Sequence, residues 1–292
     1  MQATAPLQPG APRSLLFCPG SDIARMRKAL ASAADAVILD LEDSVAPAAK
    51  AEARANVAAI LAGDRPKPLI VRVNAADSAE HLADLAATVA RAPDAIMLPK
   101  CTGPVDLQCL SQRLDALEAA FGLPTGAVRI LPLVTETAAS LARLDYAGVT
   151  PRLMGLAMAG EDLASDLGIP ARTGGVMNPL LQRAREQVAV AAAAAGVPSF
   201  DTPFPDPRDE AGLRAETAAA VALGMAGKLC IHPAQLAPVN EAFQPTEQQV
   251  AWGRAVIAAL DGAGKGVATV EGRMVDIAHL RLARRYAAGA AR

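Results

Sequence analysis

Short apolar runs recur along the chain with room for one helix between neighbours. They are Leu15 to Cys18, Ala36 to Leu41, Leu69 to Val73, Ala95 to Leu98, Ile130 to Val134, Leu153 to Met158, a weaker one at Ser199 to Phe200, and Lys228 to Ile231. Runs this short, bounded by Pro and Gly and without polar alternation, read as strands covered on both faces. Between them lie Ala- and Leu-rich segments with helical spacing: Ile23 to Ser32, Ala48 to Leu61, Glu80 to Arg91, Val105 to Phe121, Pro179 to Ala195, Arg208 to Leu223 and Ala234 to Phe243. Several end at Gly or Pro, as helices do. Strands alternating with helices in this number predict an α/β fold, a parallel sheet closed into a (β/α)₈ TIM barrel, with an open doubly wound sheet as the alternative.

The pattern changes after Pro245. A helix is expected from Glu247 to Leu260, then the Gly-rich stretch D-G-A-G-K-G, a hairpin-like V-A-T-V-E-G-R-M-V-D, and a last helix to Tyr286. The chain therefore divides into a catalytic barrel over residues 13–245 and a C-terminal helical and hairpin extension over 246–292, suited to packing on a neighbouring subunit. The Gly-rich stretch reads as a flexible connection, since its spacing does not match a phosphate-binding P-loop.

A barrel reading places the site at the C-terminal ends of the strands, and polar residues gather there. They are Asp40, Glu42 and Asp43 at the second run, Arg72 and Asn74 at the third, Lys100 after the fourth, Glu136 after the fifth, Glu161 and Asp162 after the sixth, and His232 after the last. Carboxylates at neighbouring strand ends suggest a hard cation. Mg²⁺ needs only one or two protein carboxylates, so Glu136 and Asp162 suffice, with Mn²⁺ as a substitute. Taken singly, Glu136 and Glu161 also fit ordinary first-turn helix acids. Arg72 closes an apolar strand, and beside a divalent cation its fork suits a substrate carboxylate or enolate oxygen. It also fits a purely neutralising role against Asp40, Glu42 or Asp43, and the two roles are compatible. Lys100 in so acidic a setting reads as charge-balancing rather than as a Schiff-base lysine.

Composition narrows the partners. With 292 residues, 52% of them apolar, the chain can bury a large core, and its net charge of -2 gives no general attraction to nucleic acid or anionic lipid. No run reaches membrane-spanning length, and the first dozen residues lack a signal peptide's basic and apolar regions, so a cytoplasmic protein with a short loose N-terminus is expected. Cys18, Cys101, Cys109 and Cys230 lack metal-type spacing and suit a reducing compartment.

Eight segments together carry a resemblance: R-S-L-L-F-C-P-G (13–20), D-A-V-I-L-D-L-E-D-S-V (35–45), R-V-N (72–74), L-P-K (98–100), E-T-A (136–138), G-E-D-L (160–163), G-K-L-C-I-H-P (227–233) and G-R-M-V-D (272–276). In this order the chain resembles the citrate lyase beta-subunit family of the HpcH/HpaI aldolase/citrate lyase superfamily, with malyl-CoA and citramalyl-CoA lyases among its relatives. The resemblance implies a TIM barrel with Mg²⁺ on Glu136 and Asp162 and the oxo-acid half of the substrate on Arg72. It implies that Arg13 and Lys28 face the phosphates of a coenzyme A thioester, with Arg25 and Arg27 as nearby candidates. It further implies that Asp276 of the extension reaches the site of a neighbouring subunit, in a homo-oligomer such as a trimer or hexamer.

The expected reaction is Mg²⁺-dependent carbon–carbon cleavage of a 3-hydroxyacyl thioester, carried by CoA or an acyl carrier protein, to acetyl-CoA and a 2-oxo acid. Arg72 would face developing oxyanion character, and Asp276 would move the proton at the acetyl carbon. Asp40, Glu42, Asp43, Lys100 and Glu161 would support the site. Thioester hydrolysis on the same scaffold and a non-catalytic subunit of a lyase complex are the alternatives; the presence of Glu136, Asp162 and Arg72 speaks against the second.

Overall fold

A computed structural model describes residues 10–263 and 266–289. Eight strands form one parallel sheet: β1 (Ser14–Pro19), β2 (Ala36–Asp40), β3 (Leu69–Arg72), β4 (Ala95–Leu98), β5 (Arg129–Pro132), β6 (Leu156–Ala157), β7 (Ser199–Asp201) and β8 (Gly227–Cys230). Their order is β5-β4-β3-β2-β1-β8-β7-β6. The two ends meet through parallel bridges at Ile130–Leu153 and Leu133–Ala157. There the Ile130 amide donates to the Arg152 carbonyl at 2.9 Å and that of Val134 to Ala157 at 3.0 Å. The ring is closed, so the barrel expectation holds and the open sheet falls away.

Period-two alternation divides the strand side chains between two layers. Leu15, Ile38, Ile70, Met97, Leu131, Phe200 and Leu229 fill the interior, while Leu16, Val37, Leu39, Val71, Ile96 and Ile130 meet the surrounding helices. The same parity fixes the site. Asp40 lies two residues beyond Ile38 and Arg72 two beyond Ile70, and the two are register partners at the ends of β2 and β3. Both therefore project into the mouth of the barrel rather than into the helical layer.

Differences from the sequence reading have local causes. β6 pairs regularly over only two residues, not six, because the chain passes hard against β7: a Cβ on Gly155 would stand 2.6 Å from the Phe200 ring. The helix after β5 is a single turn, Ala138–Leu141. A small hairpin, Arg172–Thr173 with Val176–Met177, turns on Gly174 and Gly175, both in the left-handed region at φ 59° and 79°.

The extension consists of α10 (Glu247–Ala263), β9 (Val267–Val270), β10 (Arg273–Asp276) and α11 (Ile277–Ala288), numbering α1 (Ile23–Leu30) as the first of eleven α-helices among the described residues. Its apolar cluster is its own, built on Val256, Val270, Val275 and Ala283 with Trp252 packed against it. α10 runs through Gly262 into the Gly-rich stretch, of which Gly264 and Lys265 lie outside the described residues, as does the N-terminal segment 1–9. Arg285 holds the carbonyls of Gly224 (2.7 Å) and Met225, just before β8, and Gln244 Nε2 donates to the Gly289 carbonyl at 2.8 Å. The extension is thus tied to the N-terminal end of its own barrel, opposite the mouth. Among the described residues no helix is long and apolar enough to cross a membrane.

A charged layer lies outside β7 and β8. Lys228 is fully buried, its Nζ 2.6 Å from Asp201 and 2.9 Å from Glu216, with Arg185 Nη1 3.7 Å from Asp201. Lys228→Met should lower stability by about 3–5 kcal/mol, because it strands buried negative charge. Urea unfolding measures this, and a loss under ~1 kcal/mol would show that Arg185 compensates Asp201 alone.

The cysteines are free. Burial pushes the Cys18 and Cys101 thiols up to about 11 and that of Cys230 to about 12, while Cys109 is exposed. A maleimide near neutral pH should therefore modify one thiol per native chain, at Cys109. Rapid loss of a second thiol, read by mass spectrometry, would contradict this packing.

Candidate active site

Asp40 is the hub of the barrel mouth. Its carboxylate accepts from the backbone amides of Glu42 (2.9 Å) and Ser44 (3.2 Å) and from Arg72 Nε and Nη2, both at 2.7 Å. Burial alone would raise its pKa, but the Arg72 fork outweighs this and holds it below the usual carboxylate range. Arg72 Nη1 stands 3.1 Å from Glu42 Oε2, and the guanidinium lies 4.8 Å over the Phe17 ring. That Glu42 oxygen has no aligned hydrogen bond, and burial raises the pKa of the acid against the pull of Arg72 and Lys100. Lys50 fixes the loop behind it, donating at 2.7 Å to the carbonyls of Leu41 and Glu42 and to Asn74.

Lys100 joins this cluster to the end of β5. Its backbone is left-handed at φ 51°, a costly conformation for a side-chain-bearing residue. The turn aims its amide at Glu136 Oε2 while its Nζ donates to Glu42 Oε1 at 2.7 Å. Glu136 is buried, and burial pushes its carboxyl up to about 8; the Lys100 amide opposes the shift, and the charges of Glu42 and Asp162 add to it. Its second oxygen, Oε1, is buried without a partner.

Asp162 occupies the first turn of α6 (Gly160–Leu167) and is exposed. Four contacts hold that helix. The Gly160 amide donates to Thr202 Oγ1 at 2.8 Å, that of Ala159 to Thr135 Oγ1 at 3.0 Å, and that of Ala138 to Asp166 at 2.7 Å. Arg172 pairs with Glu161, the residue next to Asp162. The resulting cavity is about 480 Å³, lined by Arg72, Asp40 and Asp162 with Phe17, Leu133 and Met158 on the apolar side and Arg25 at the rim.

The buried Glu136 oxygen without a partner, with the acids Glu42 and Asp162 acting on the same carboxyl, fits a divalent cation. Among the described residues no three His, Cys, Asp or Glu side chains are grouped to hold a metal. The donor set therefore suits a cation that completes its shell with water and substrate oxygens, as Mg²⁺ does, and not zinc.

The expected supporting residues Asp40, Glu42, Asp43 and Lys100 thus meet Arg72 and Glu136 in one cluster, with Asp162 close enough to raise Glu136. Three other expected residues lie outside this cluster in the single chain. Arg13 precedes β1 at the opposite end of the barrel, and its guanidinium is committed to Asp35 at 2.8 and 2.9 Å and to Gln244 at 2.9 Å. Lys28 is exposed in the last turn of α1 and does not line the cavity; Arg25, in the first turn, does. Asp276 caps α11, accepting from the Ala278 amide at 3.0 Å and meeting His279 Nδ1 at 2.8 Å, outside the lining of its own cavity. Sequence reading passed over Thr202, Thr135, Asp166 and Arg172, which hold α6. Polar residues just past strand ends were the available signal for the two threonines.

The sequence profile of the HpcH/HpaI aldolase/citrate lyase family matches residues 13–233. The chain belongs to that family. It is 36% identical to L-malyl-CoA/beta-methylmalyl-CoA lyase of Cereibacter sphaeroides, over 97% of this chain and 95% of the relative. It is 34% identical to citrate lyase subunit beta of Escherichia coli K12, over 90% of this chain and 88% of the relative. The crystal structure of CitE from Mycobacterium tuberculosis in complex with magnesium, acetoacetate and coenzyme A superposes with a TM-score of 0.76 at 32% identity, covering 98% of this chain and all of that one. As a member of a lyase family over nearly its whole length, the chain is a carbon–carbon lyase.

Proposed function

We propose that this HpcH/HpaI-family enzyme cleaves a 3-hydroxyacyl-CoA thioester of the malyl, citramalyl or citryl type to acetyl-CoA and a 2-oxo acid, with Mg²⁺ as its resident cation. The observation that carries the reading is the buried, unpartnered Glu136 oxygen, whose carboxyl feels the charges of Asp162 and Arg72, two residues that line the 480 Å³ cavity. The malyl-CoA lyase relatives and the CitE structure solved with magnesium and coenzyme A support it.

Glu136 and Asp162 would hold the cation, which when bound supplies Lewis-acid polarisation of the hydroxy-acid oxygens. Arg72, held by Asp40 and lying over the Phe17 ring, presents a positive charge where oxygen gains negative character. As the hydroxyl proton passes to water at the open side of the cavity, the bond between the carbinol and thioester α-carbons breaks, its electron pair passing into a thioester enolate. A proton delivered to that α-carbon completes acetyl-CoA, and Asp276 from a second copy of the chain is the proposed donor, which makes the enzyme a homo-oligomer. The apolar wall of Phe17, Leu133 and Met158 keeps water from the enolate.

The thioester leaves the cavity past Arg25. Residues three apart share a helix face, so the CoA phosphates would follow α1 from Arg25 to Lys28. Arg13 has no part in this path. A carrier-protein thioester would use the same exit, and the free thiols together with a CoA substrate favour the cytoplasm as its compartment.

Two experiments test the proposal. In an assay of malyl-, citramalyl- and citryl-CoA, at least one should be cleaved with Mg²⁺ or Mn²⁺ and spared with EDTA; turnover unaffected by EDTA overturns the metal assignment. In calorimetry, Glu136→Gln and Asp162→Asn should each weaken Mg²⁺ binding by about tenfold or more at unchanged fold. Unchanged affinity in both would remove these acids from the metal site.

A further inference from the structure

Arg172 belongs to neither the substrate cluster nor the cation site, yet it is built into the wall behind both. It opens the small hairpin after α6, and its side chain is only 12% exposed. Nε and Nη2 fork onto Glu216 at 3.0 Å each, and Nη1 pairs with Glu161, the residue next to Asp162. The guanidinium lies 5.2 Å over the Phe204 ring, with Nη2 3.4 Å from the Pro203 carbonyl. Glu216 is itself anchored by the buried Lys228 at 2.9 Å. One side chain thus joins a fully buried ion layer, the loop after β7 that lines the cavity through Thr202 and Pro203, and the first turn of α6.

We propose that Arg172 is a positioning residue for the cation site, acting on Asp162 through Glu161. The inference rests on the reading of Asp162 as a metal ligand. The physical ground is that Asp162 itself is exposed on the first turn of a two-turn helix, where the ends fray, so its aim depends on what pins that turn. The Gly160–Thr202 and Asp166–Ala138 contacts pin the backbone on two sides. Ala159, just before the helix, is held by Thr135, and Arg172 supplies a further contact, which among the described residues connects the turn to the buried charged layer.

Charge and position predict opposite signs, which makes the proposal testable. Taking a positive charge away from the neighbourhood of a cation site should tighten cation binding if electrostatics alone matters. Loss of positioning should weaken it, roughly tenfold as for other residues that orient metal ligands. Calorimetric titration of the full-length protein with Mg²⁺ therefore decides the matter. Arg172→Gln should bind Mg²⁺ about tenfold more weakly, and in an Asp162→Asn background it should cause no further loss. Tighter or unchanged binding in Arg172→Gln overturns the proposal, as does an equal further loss in the Asp162→Asn background. Should Arg172→Gln fail to fold, Arg172→Lys decides instead: it keeps the charge and loses the fork, so weaker Mg²⁺ binding at a folded state supports positioning and unchanged binding overturns it. Asp162→Asn alone serves as the separate control. If it leaves Mg²⁺ affinity unchanged, the metal reading of Asp162 has failed; if it weakens binding while Arg172→Gln does not, only the role of Arg172 has failed.

Discussion

Arg72→Lys is expected to lower turnover by roughly two to three powers of ten while leaving the fold and Mg²⁺ affinity close to those of the parent, the size of effect seen when a donor aimed at developing charge is lost. The guanidinium does two things at once. Nε and Nη2 bind the two oxygens of Asp40 at 2.7 Å, and Nη1 faces Glu42 at 3.1 Å along the cavity side. A lysine ammonium is a single point donor on a flexible stem and cannot hold Asp40 with two parallel bonds while offering charge to the substrate. It also loses the guanidinium's contact over the Phe17 ring. Steady-state kinetics with the best thioester checks the expectation. Activity within a few-fold of the parent would mean that Arg72 only neutralises the acids of β2.

The second large effect concerns Asp276. In a single chain it caps α11 on an extension anchored beside Gly224 and Met225, at the barrel end opposite the mouth, so it has no access to its own cavity. Asp276→Asn should nevertheless reduce turnover by about two powers of ten or more, as expected for loss of a general acid, if a second copy receives it. Asparagine is also a good helix cap, so stability should hardly change. The mixing experiment separates the routes. Asp276→Asn and Glu136→Gln preparations, each nearly inactive, should regain activity after subunit exchange, because some sites then combine an intact acid with an intact metal site. Exchange proven by mass spectrometry without recovery would confine Asp276 to its capping role.

Much of this was legible in the sequence because strands covered on both faces leave contiguous apolar runs, as at Val37 to Leu39 and Val71. Strand parity and direction then carried Asp40, Arg72, Lys100 and Glu136 to one end of the barrel. The same direction argument, applied to Arg13 and Lys28, predicts what the structure shows: Arg13 precedes a strand and so lies at the far end, and α1 descends from the mouth, so its first turn, with Arg25, is nearer than its last. What stayed hidden depends on tertiary contact. The shortening of β6 follows from the close approach of Gly155 to Phe200. The Lys228–Glu216–Arg172–Glu161 chain includes a bond between residues 44 positions apart, and a lysine inside an apolar run gives no sign of its partners.

The central claim is carbon–carbon cleavage, and product analysis of a single thioester tests it most directly. Malyl-CoA incubated with the enzyme and Mg²⁺ should yield glyoxylate and acetyl-CoA in equal amounts, with citramalyl-CoA giving pyruvate in place of glyoxylate and citryl-CoA giving oxaloacetate. Free CoA accumulating with intact malate, citramalate or citrate would instead mark a hydrolase built on the same barrel and would contradict the account.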